Sequence, residues 1–211
     1  AFAVVKGYDT VITWGEDDSG GDSSSVQQEL RGEITHIYST SQAFAAVKSD
    51  GTVVTWGNVE YGGDSSAVQE HLRGEITNIY STDFAFAAIR RDGAVVTWGD
   101  ECYGGDSSDV QEQLRGEIAH IYSTSQAFAA VKADGAGVVT WGNPTYGGDS
   151  SSVQEQLQGE ISHIYSTGFA FAAVKGDGAL VTWGRGDFGG DSSLVQAQLR
   201  GEIAHIYSAA C

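Results

Sequence analysis

AFAAVKSDGTVVTWGNVEYGGDSSAVQEHLRGEITNIYST, residues 43–82, decides the fold, because the rest of the chain consists of variants of it. A Trp-Gly pair marks each copy, and successive tryptophans are 42, 42, 43 and 42 residues apart: Trp14, Trp56, Trp98, Trp141 and Trp183. A fixed period of this length is the signature of a repeat architecture. We therefore divide the 211 residues into five repeats, approximately 1–40, 41–82, 83–124, 125–167 and 168–211, and expect a single repeat domain over 1–211.

Each repeat begins with a pattern that predicts a β-hairpin. In residues 43–57, two apolar and β-prone runs flank Asp50-Gly51, and glycine supplies the positive φ that a tight hairpin turn needs. In the second run Val53 alternates with Val54 and Trp56, so both faces of this strand carry apolar groups. Neighbouring repeats must therefore stack so that each sheet covers the next.

The second half of the repeat predicts a short helix and a third strand. After the loop Gly-Gly-Asp-Ser-Ser, Ser66 and Gln69 have the spacing of a capping box, and Gly74 suits a helix end. These signals predict a helix of about two turns. A strand over residues 75–81 is expected to follow it.

Such repeats, mostly β with short helices, are typical of a β-propeller, in which four to eight blades are usual. The chain starts inside the strand Ala1–Val5 and stops after the strand Glu202–Ser208, so strands from both termini would complete one blade. We therefore expect a five-bladed β-propeller whose ring is closed by the N- and C-terminal strands. An open β-solenoid stack is the alternative, since it also buries both faces of each sheet.

The composition limits the partners. With 28 Asp and Glu against 11 Lys and Arg, the net charge is −17, which opposes binding to nucleic acid and favours a basic protein partner. No apolar stretch approaches the ~20 residues of a membrane span, so no direct membrane insertion is expected. The sequence contains no Met, which indicates a processed chain in an organelle lumen or secreted compartment, or a piece of a longer polypeptide.

The hairpin AFAAVKSDGTVVTWG, residues 43–57, with a preceding strand such as residues 34–39, resembles the repeat of RCC1-like propellers (regulator of chromosome condensation type). The chain departs from that family where Gly-Gly-Asp-Ser-Ser replaces the usual Gly-Gln-Leu-Gly loop. The whole repeat, with GGDSSxVQxQL, is similar to a divergent form found in tandem arrays of unicellular algae. The resemblance implies an interaction scaffold. It brings over no residue used for nucleotide exchange on a small GTPase.

One aspartate stands in the same loop of every repeat. A set of carboxylates could bind cations or a basic partner, but the interpretation we favour is that each Asp or Ser caps the following turn. The spacing is not that of an EF-hand, so no metal site is expected. We interpret the tryptophans as core residues between sheets. The structural residues are thus Trp14, Trp56, Trp98, Trp141, Trp183, Asp22, Asp64, Asp106, Asp149 and Asp191.

Histidines and cysteines are the remaining candidates for metal chemistry. His36, His120, His163 and His205 share one strand position, which Asn78 occupies in the second repeat. Because each comes from a different repeat, we interpret them as polar strand residues. Cys102 and Cys211 occupy non-equivalent positions, which indicates two ordinary thiols.

The loop that follows each Trp-Gly pair is where the repeats differ most, and a specific site needs such asymmetry. In four repeats an aromatic residue ends this loop beside residues of varied charge. Contact with a partner and packing between blades explain these aromatics equally well. The candidate partner-binding residues are Tyr61, Tyr103, Tyr146, Phe188, Glu60, Glu101 and Arg185.

Catalysis is not expected, because the repeats hold no asymmetric catalytic set and no Gly-x-Ser-x-Gly elbow. We therefore expect a non-enzymatic protein-binding scaffold without a cofactor. It would serve as an accessory subunit of a larger assembly, such as a photosynthetic complex of an organelle membrane. The alternative is a lectin-like propeller with one carbohydrate site per blade, where equivalent Trp, Tyr and Asp residues would bind the sugar.

Overall fold

A computed structural model of the chain describes residues 1–7, 9–199, 201, 203 and 205–209. By its internal contacts the chain divides into two compact units, Ala1–Asp106 and Ser107–Cys211. The strands are β1 (Phe2–Lys6), β2 (Thr10–Trp14), β3 (Ile34–Ser39), β4 (Ala43–Lys48), β5 (Val53–Gly57), β6 (Ile76–Ser81), β7 (Ala85–Arg90), β8 (Val95–Gly99), β9 (Ile118–Ser123), β10 (Ala127–Lys132), β11 (Val138–Gly142), β12 (Ile161–Ser166), β13 (Ala170–Lys175) and β14 (Leu180–Gly184).

The strands form antiparallel sheets that follow the repeat. Each three-stranded sheet has the second strand in the middle, in the orders β3-β4-β5, β6-β7-β8, β9-β10-β11 and β12-β13-β14. The first sheet consists of β1 and β2 alone. A register shift recurs where the first strand of each three-stranded sheet begins, for example between Ile34 and His36 in β3. The predicted hairpin is therefore confirmed in all five repeats, and the predicted third strand in the first four.

The helical segments are shorter than the sequence predicts. They are 3₁₀ helices of three residues and one five-residue helical turn: Asp17–Ser19, Ser24–Val26, Val59–Gly63, Ser66–Val68, Glu101–Tyr103, Ser108–Val110, Pro144–Tyr146, Ser151–Val153 and Gly186–Phe188. The predicted two-turn helix is wrong, and its capping box does not form. Instead the hydroxyl of Ser65 lies 3.0 Å from Thr55 Oγ1, and Gln69 Nε2 donates to the Val53 carbonyl at 3.2 Å. Because the side chains of Ser65 and Gln69 bind residues of β5, the segment forms a short turn that lies across this strand.

The last predicted strand, Glu202–Ser208, is wrong in its described part. His205–Ser208 are not in a strand, and Ile203 is not either. Glu202 and Ala204 lie outside the described residues. A strand is defined by ladder hydrogen bonds to a neighbour. The predicted neighbour of this segment is β1. Among the described residues, β1 forms ladder hydrogen bonds with β2 alone.

The core of the first unit lies between consecutive sheets. On one face of the sheet β3-β4-β5, Phe44 and Trp56 pack in a cluster with Val11. On the opposite face, Ala45 packs in a second cluster with Phe86. The prediction that both faces of these strands are covered by neighbouring repeats is confirmed for this sheet.

The second unit repeats the arrangement. Ala129 and Val138, from the sheet β9-β10-β11, pack against Phe171 and Trp183 of the sheet β12-β13-β14. Small residues on one face thus receive the large rings of the next repeat, so that the sheets approach closely.

Candidate partner-binding surface

The loop after Trp56-Gly57 is held by side-chain hydrogen bonds to its backbone. Asn58 accepts a hydrogen bond from the Glu60 amide at 3.0 Å, and Thr40 Oγ1 donates to the Tyr61 carbonyl at 3.2 Å. Gly62 closes the turn with a φ of 100°, a conformation that favours glycine. The aromatic residue at the end of the loop therefore has a defined position.

The same threonine anchor recurs in the third, fourth and fifth repeats. Thr82 donates to the Tyr103 carbonyl at 2.9 Å, Thr124 to the Tyr146 carbonyl at 3.0 Å and Thr167 to the Phe188 carbonyl at 3.3 Å. An anchored aromatic residue thus ends the loop in these four repeats, while the residues before it vary, as expected of a binding loop on a common scaffold.

In the first unit the structure brings two of the predicted aromatics together around a third ring. Phe84 lies between them, with its ring centroid 4.3 Å from that of Tyr61 and 4.7 Å from that of Tyr103. All three side chains are half-buried. We call this group the first aromatic triad (Tyr61, Phe84 and Tyr103).

The second unit contains an equivalent group. Phe169 lies 5.0 Å from Tyr146 and 4.3 Å from Phe188, measured between ring centroids. The Arg185 guanidinium carbon lies 4.6 Å from the Phe188 centroid and 5.7 Å from that of Phe169. This cation–π contact orients the charge over the rings. We call Tyr146, Phe169 and Phe188 the second aromatic triad.

Phe84 and Phe169 are functional candidates that the sequence analysis missed. They precede the hairpin in the third and fifth repeats, where the second and fourth repeats have Gln42 and Gln126. In the fourth repeat, the side-chain carbonyl of Gln126 accepts a hydrogen bond from Asn143 Nδ2 at 2.8 Å. The sequence contains a signal for these two residues, because Gln and Phe alternate at this position from one repeat to the next.

The charges beside the two triads differ. Glu60 is exposed and immediately precedes Tyr61. Glu101 is also exposed and lies two residues before Tyr103. Arg185 is exposed and stacks on the second triad. The first triad therefore has a negative border, whereas the second carries a cation.

The tryptophans lie where consecutive sheets meet. Trp56, Trp98 and Trp183 donate from Nε1 to the carbonyls of Gly20, Gly62 and Gly147 at 3.1, 3.2 and 3.1 Å. These three and Trp141 are at most 4% exposed. Trp14 differs, since it is 50% exposed and stacks on Phe2 with a centroid separation of 5.2 Å.

The repeated aspartates accept hydrogen bonds from the serine amide two residues ahead. The distances are 2.8 Å for Asp22, Asp64 and Asp149 and 2.9 Å for Asp191. These backbone hydrogen bonds hold the pKa values of the carboxyls of Asp22, Asp149 and Asp191 below their usual range. Asp106 occupies the equivalent loop position. Among the described residues, no group of three or more His, Cys, Asp or Glu side chains could hold a metal ion.

Tyrosines connect the histidine positions of consecutive repeats. Tyr38 Oη donates to Asn78 Oδ1 at 3.0 Å, and Tyr122 Oη lies 3.2 Å from His163 Nδ1. Burial lowers the pKa of His120, and the nearby His163 acts in the same direction. The polar residues at this strand position thus contact a tyrosine of the neighbouring repeat. The sequence period alone does not predict these contacts. His36 stacks on Tyr38.

Cys102 is an exposed free thiol beside Tyr103, whereas Cys211 lies outside the described residues. In the part of the chain that is described, no helix has the length and apolar character needed to span a membrane.

No family model matches the sequence, and no curated protein matches it. Solved structures match the fold. Prp20p from Saccharomyces cerevisiae, studied for its binding to Gsp1p and histones, gives a TM-score of 0.53 at 18% identity over 74% of this chain and 45% of that chain. Yeast RCC1 (Prp20) with bound Kap60 gives 0.52 at 18% over 72% and 43%.

A plant protein has the same fold. The ectodomain of the Physcomitrella patens receptor kinase CR4 gives a TM-score of 0.51 at 17% identity over 73% of this chain and 42% of that chain. The chain thus spans less than half the length of these three structures. At such identities the likeness concerns the fold, and it agrees with the resemblance of the hairpin sequence. In its fold, the chain therefore resembles these RCC1-like structures.

Proposed function

We propose that this chain is a non-enzymatic protein-binding domain and that the two aromatic triads contact its partner. The observation that carries the proposal is the pair of half-buried ring clusters on loops that vary between otherwise repeated sheets. Aromatic side chains that are partly exposed on a rigid scaffold are characteristic of protein interfaces. The yeast fold relatives were studied with Gsp1p, histones and Kap60, which supports protein binding here without assigning any residue.

The charges favour a partner segment rich in arginine and lysine. Arg185 on the second triad shows that a guanidinium fits against such a ring cluster. Beside the first triad, the exposed Glu60 and Glu101 would attract a guanidinium of the partner. The net charge of −17 would accelerate the encounter at low salt and would disfavour nucleic acid.

Charge reversal at the first triad tests this proposal. Wild-type protein, the variant Glu60→Lys/Glu101→Lys and the control Glu29→Lys/Glu155→Lys are each used to capture proteins from a native extract. All four positions are exposed, so the folded state should tolerate the changes. We expect wild type and control to retain a basic protein that the first variant loses. Identical capture by all three proteins, or no specific capture, would contradict the proposal.

The lectin alternative has less support from the site. Trp56, Trp98, Trp141 and Trp183 would have to stack on sugar rings, but each is at most 4% exposed. A glycan array tests the alternative directly, since multivalent binding to one sugar class would favour it over a protein partner.

Three finer expectations from the sequence stay predictions. They are a single domain over 1–211, a five-bladed ring closed by the terminal strands, and a role as accessory subunit of a photosynthetic organelle-membrane complex. The ring has a specific structural requirement, because β1 would have to pair with residues 203–208 of the same chain.

A further inference from the structure

The residue that directly follows the Trp-Gly pair is held in the same way beside both aromatic triads. The Asp100 amide donates to the Phe84 carbonyl at 3.0 Å, and the Arg185 amide donates to the Phe169 carbonyl at 3.0 Å. The backbone dihedral angles agree as well, with φ −67° and ψ 123° at Asp100 and φ −71° and ψ 116° at Arg185. The two side chains therefore leave the backbone at equivalent places beside the central phenylalanines.

The aromatic residue that ends each loop is positioned by the same turn. The Tyr103 amide donates to the Asp100 carbonyl at 3.0 Å, and the Phe188 amide donates to the Arg185 carbonyl at the same distance. The two triads thus have a common backbone frame, and the residue at its first position is acidic in one triad and basic in the other.

In the second triad, the side chain at this position lies over the rings. The Arg185 guanidinium carbon is 4.6 Å from the Phe188 centroid and 5.7 Å from the Phe169 centroid, both within the range of a cation–π contact. The two ring planes are inclined by 36°. The second triad therefore already holds a cation from its own chain.

In the first triad, the equivalent side chain binds its own loop. Asp100 Oδ1 accepts a hydrogen bond from the Cys102 amide at 2.8 Å. A carboxylate is unsuited to lie over a ring, because the face of an aromatic ring is negative. The planes of Phe84 and Tyr103 meet at 71° rather than 36°. This position therefore places a negative charge beside the first triad, where the second has a positive one.

The other charges of the loops enlarge this difference. Glu60 and Glu101 are exposed, and Asp100 is partly exposed. The loops 58–61 and 100–103 contain these three carboxylates and no Lys, Arg or His. The two corresponding loops of the second triad contain one cation and one carboxylate. Rings bordered by carboxylates attract a cation through both the ring faces and the opposite charge.

We propose that the first triad is a receptor for an arginine side chain of the partner, and that Arg185 closes the second triad to such a side chain. The guanidinium lies on Phe84 and Tyr103 in the way that Arg185 lies on the second triad. Asp100 and Glu101 supply the opposite charge. Arginine is favoured over lysine, because a planar guanidinium stacks on rings and is weakly hydrated. This role rests on the proposed function, in which the triads contact the partner.

The charge at positions 100 and 185 should therefore select what each triad binds. Asp100→Arg should close the first triad, and Arg185→Asp should open the second. Each variant copies a residue that the same backbone frame already carries in the other unit. Arg185 has no side-chain hydrogen bond to the start of its helical turn, so the frame does not depend on the bond that Asp100 makes.

Fluorine NMR with one reporter in each triad tests the proposal. 4-Fluorophenylalanine replaces Phe84 in one protein and Phe169 in another. The probes are the peptide acetyl-Gly-Gly-Arg-Gly-Gly-amide and the same peptide with citrulline, whose side chain is neutral and similar in shape. We expect the arginine peptide to shift the reporter at position 84 saturably and to leave that at position 169 unchanged. It should bind about tenfold more tightly than the citrulline peptide.

Two reciprocal variants and a control complete the test. Asp100→Arg should abolish the shift at position 84, whereas Arg185→Asp should produce a saturable shift at position 169. The control Asp109→Arg makes the same change of charge at an exposed position, which carries Ser, Ala or Leu in the other repeats, and should bind as wild type does. Because Arg185→Asp gains binding, the test does not depend on the folding of Asp100→Arg.

Three results would overturn the proposal. They are equal binding of the arginine and citrulline peptides, equal shifts of both reporters in the wild-type protein, and binding of a lysine peptide as tight as that of the arginine peptide. Capture of a basic protein from extract without these arginine effects would refute the arginine receptor alone. Arginine binding at the first triad without such capture would support the receptor and contradict the proposed function.

Discussion

Trp98 and Trp14 occupy the same position of the repeat in different surroundings. Trp98 is 4% exposed and donates to the Gly62 carbonyl, whereas Trp14 is 50% exposed on the outer face of the first sheet. The amino-acid type and the period predicted the buried role for both residues. The environment of each depends on whether another sheet covers it, which a repeated motif alone does not specify.

The substitution Trp98→Ala should therefore cost much more than Trp14→Ala. Removing the buried ring and its hydrogen bond should lower the free energy of unfolding by ~3–5 kcal/mol. Loss of the exposed stacking on Phe2 should cost only about 1 kcal/mol. Chemical denaturation of dilute samples measures both values. Equal losses would show that Trp14 is covered in solution.

His120 predicts a dependence of stability on pH. Burial holds its pKa below the usual value of 6.5, with His163 adding to the effect, so the folded chain binds fewer protons at this site than the unfolded chain. The free energy of unfolding should therefore fall as pH drops through the usual histidine range, and be regained above it.

The variant His120→Asn tests this dependence, because Asn78 occupies the same position in the second repeat. Between about pH 7.5 and about pH 5.5 the variant should lose less stability than the parent, by a small amount because the His120 side chain is only partly shielded from solvent. Thermal melts across this range measure the two slopes. Parallel slopes would remove His120 as the cause.

At the scale of elements, strands were predictable and the helical segment was not. Alternating apolar residues around Asp-Gly predict the hairpin, and β4 with β5 forms it. The capping-box spacing predicts a helix, yet Gln69 binds the Val53 carbonyl of the neighbouring strand. A local sequence signal cannot show that a side chain will find a better partner on another element.

The first glycine of the Gly-Gly loop gives a prediction at this scale. Gly62→Ala should reduce the free energy of unfolding more than Gly189→Ala, by about 1–3 kcal/mol. Both residues have a φ of 100°, so both changes strain the backbone, but only at Gly62 would the new Cβ meet a ring, at 2.7 Å from Phe86. Denaturant melts at low protein concentration compare them. Similar losses would mean that Gly189 also contacts a ring in solution.

At the scale of the whole molecule, the repeat and the acidic charge favour the proposed role in protein binding. The period, the hairpin and the resemblance to RCC1-like propellers predicted the fold that the structural comparisons show. The Trp-Gly loops could be chosen as candidates because they vary. Phe84 and Phe169 were missed, because each follows the preceding strand and joins the loop aromatics only in the folded chain.

Photo-cross-linking from the first triad tests the central claim of protein binding most directly. A benzophenone amino acid replaces Tyr103 in one protein and the exposed Glu155 in a control, and both are irradiated in native extract. Protein recognition through the triads predicts a discrete adduct with one basic protein from position 103 and none from position 155. Equal labelling from both positions, or no adduct from position 103, would contradict it.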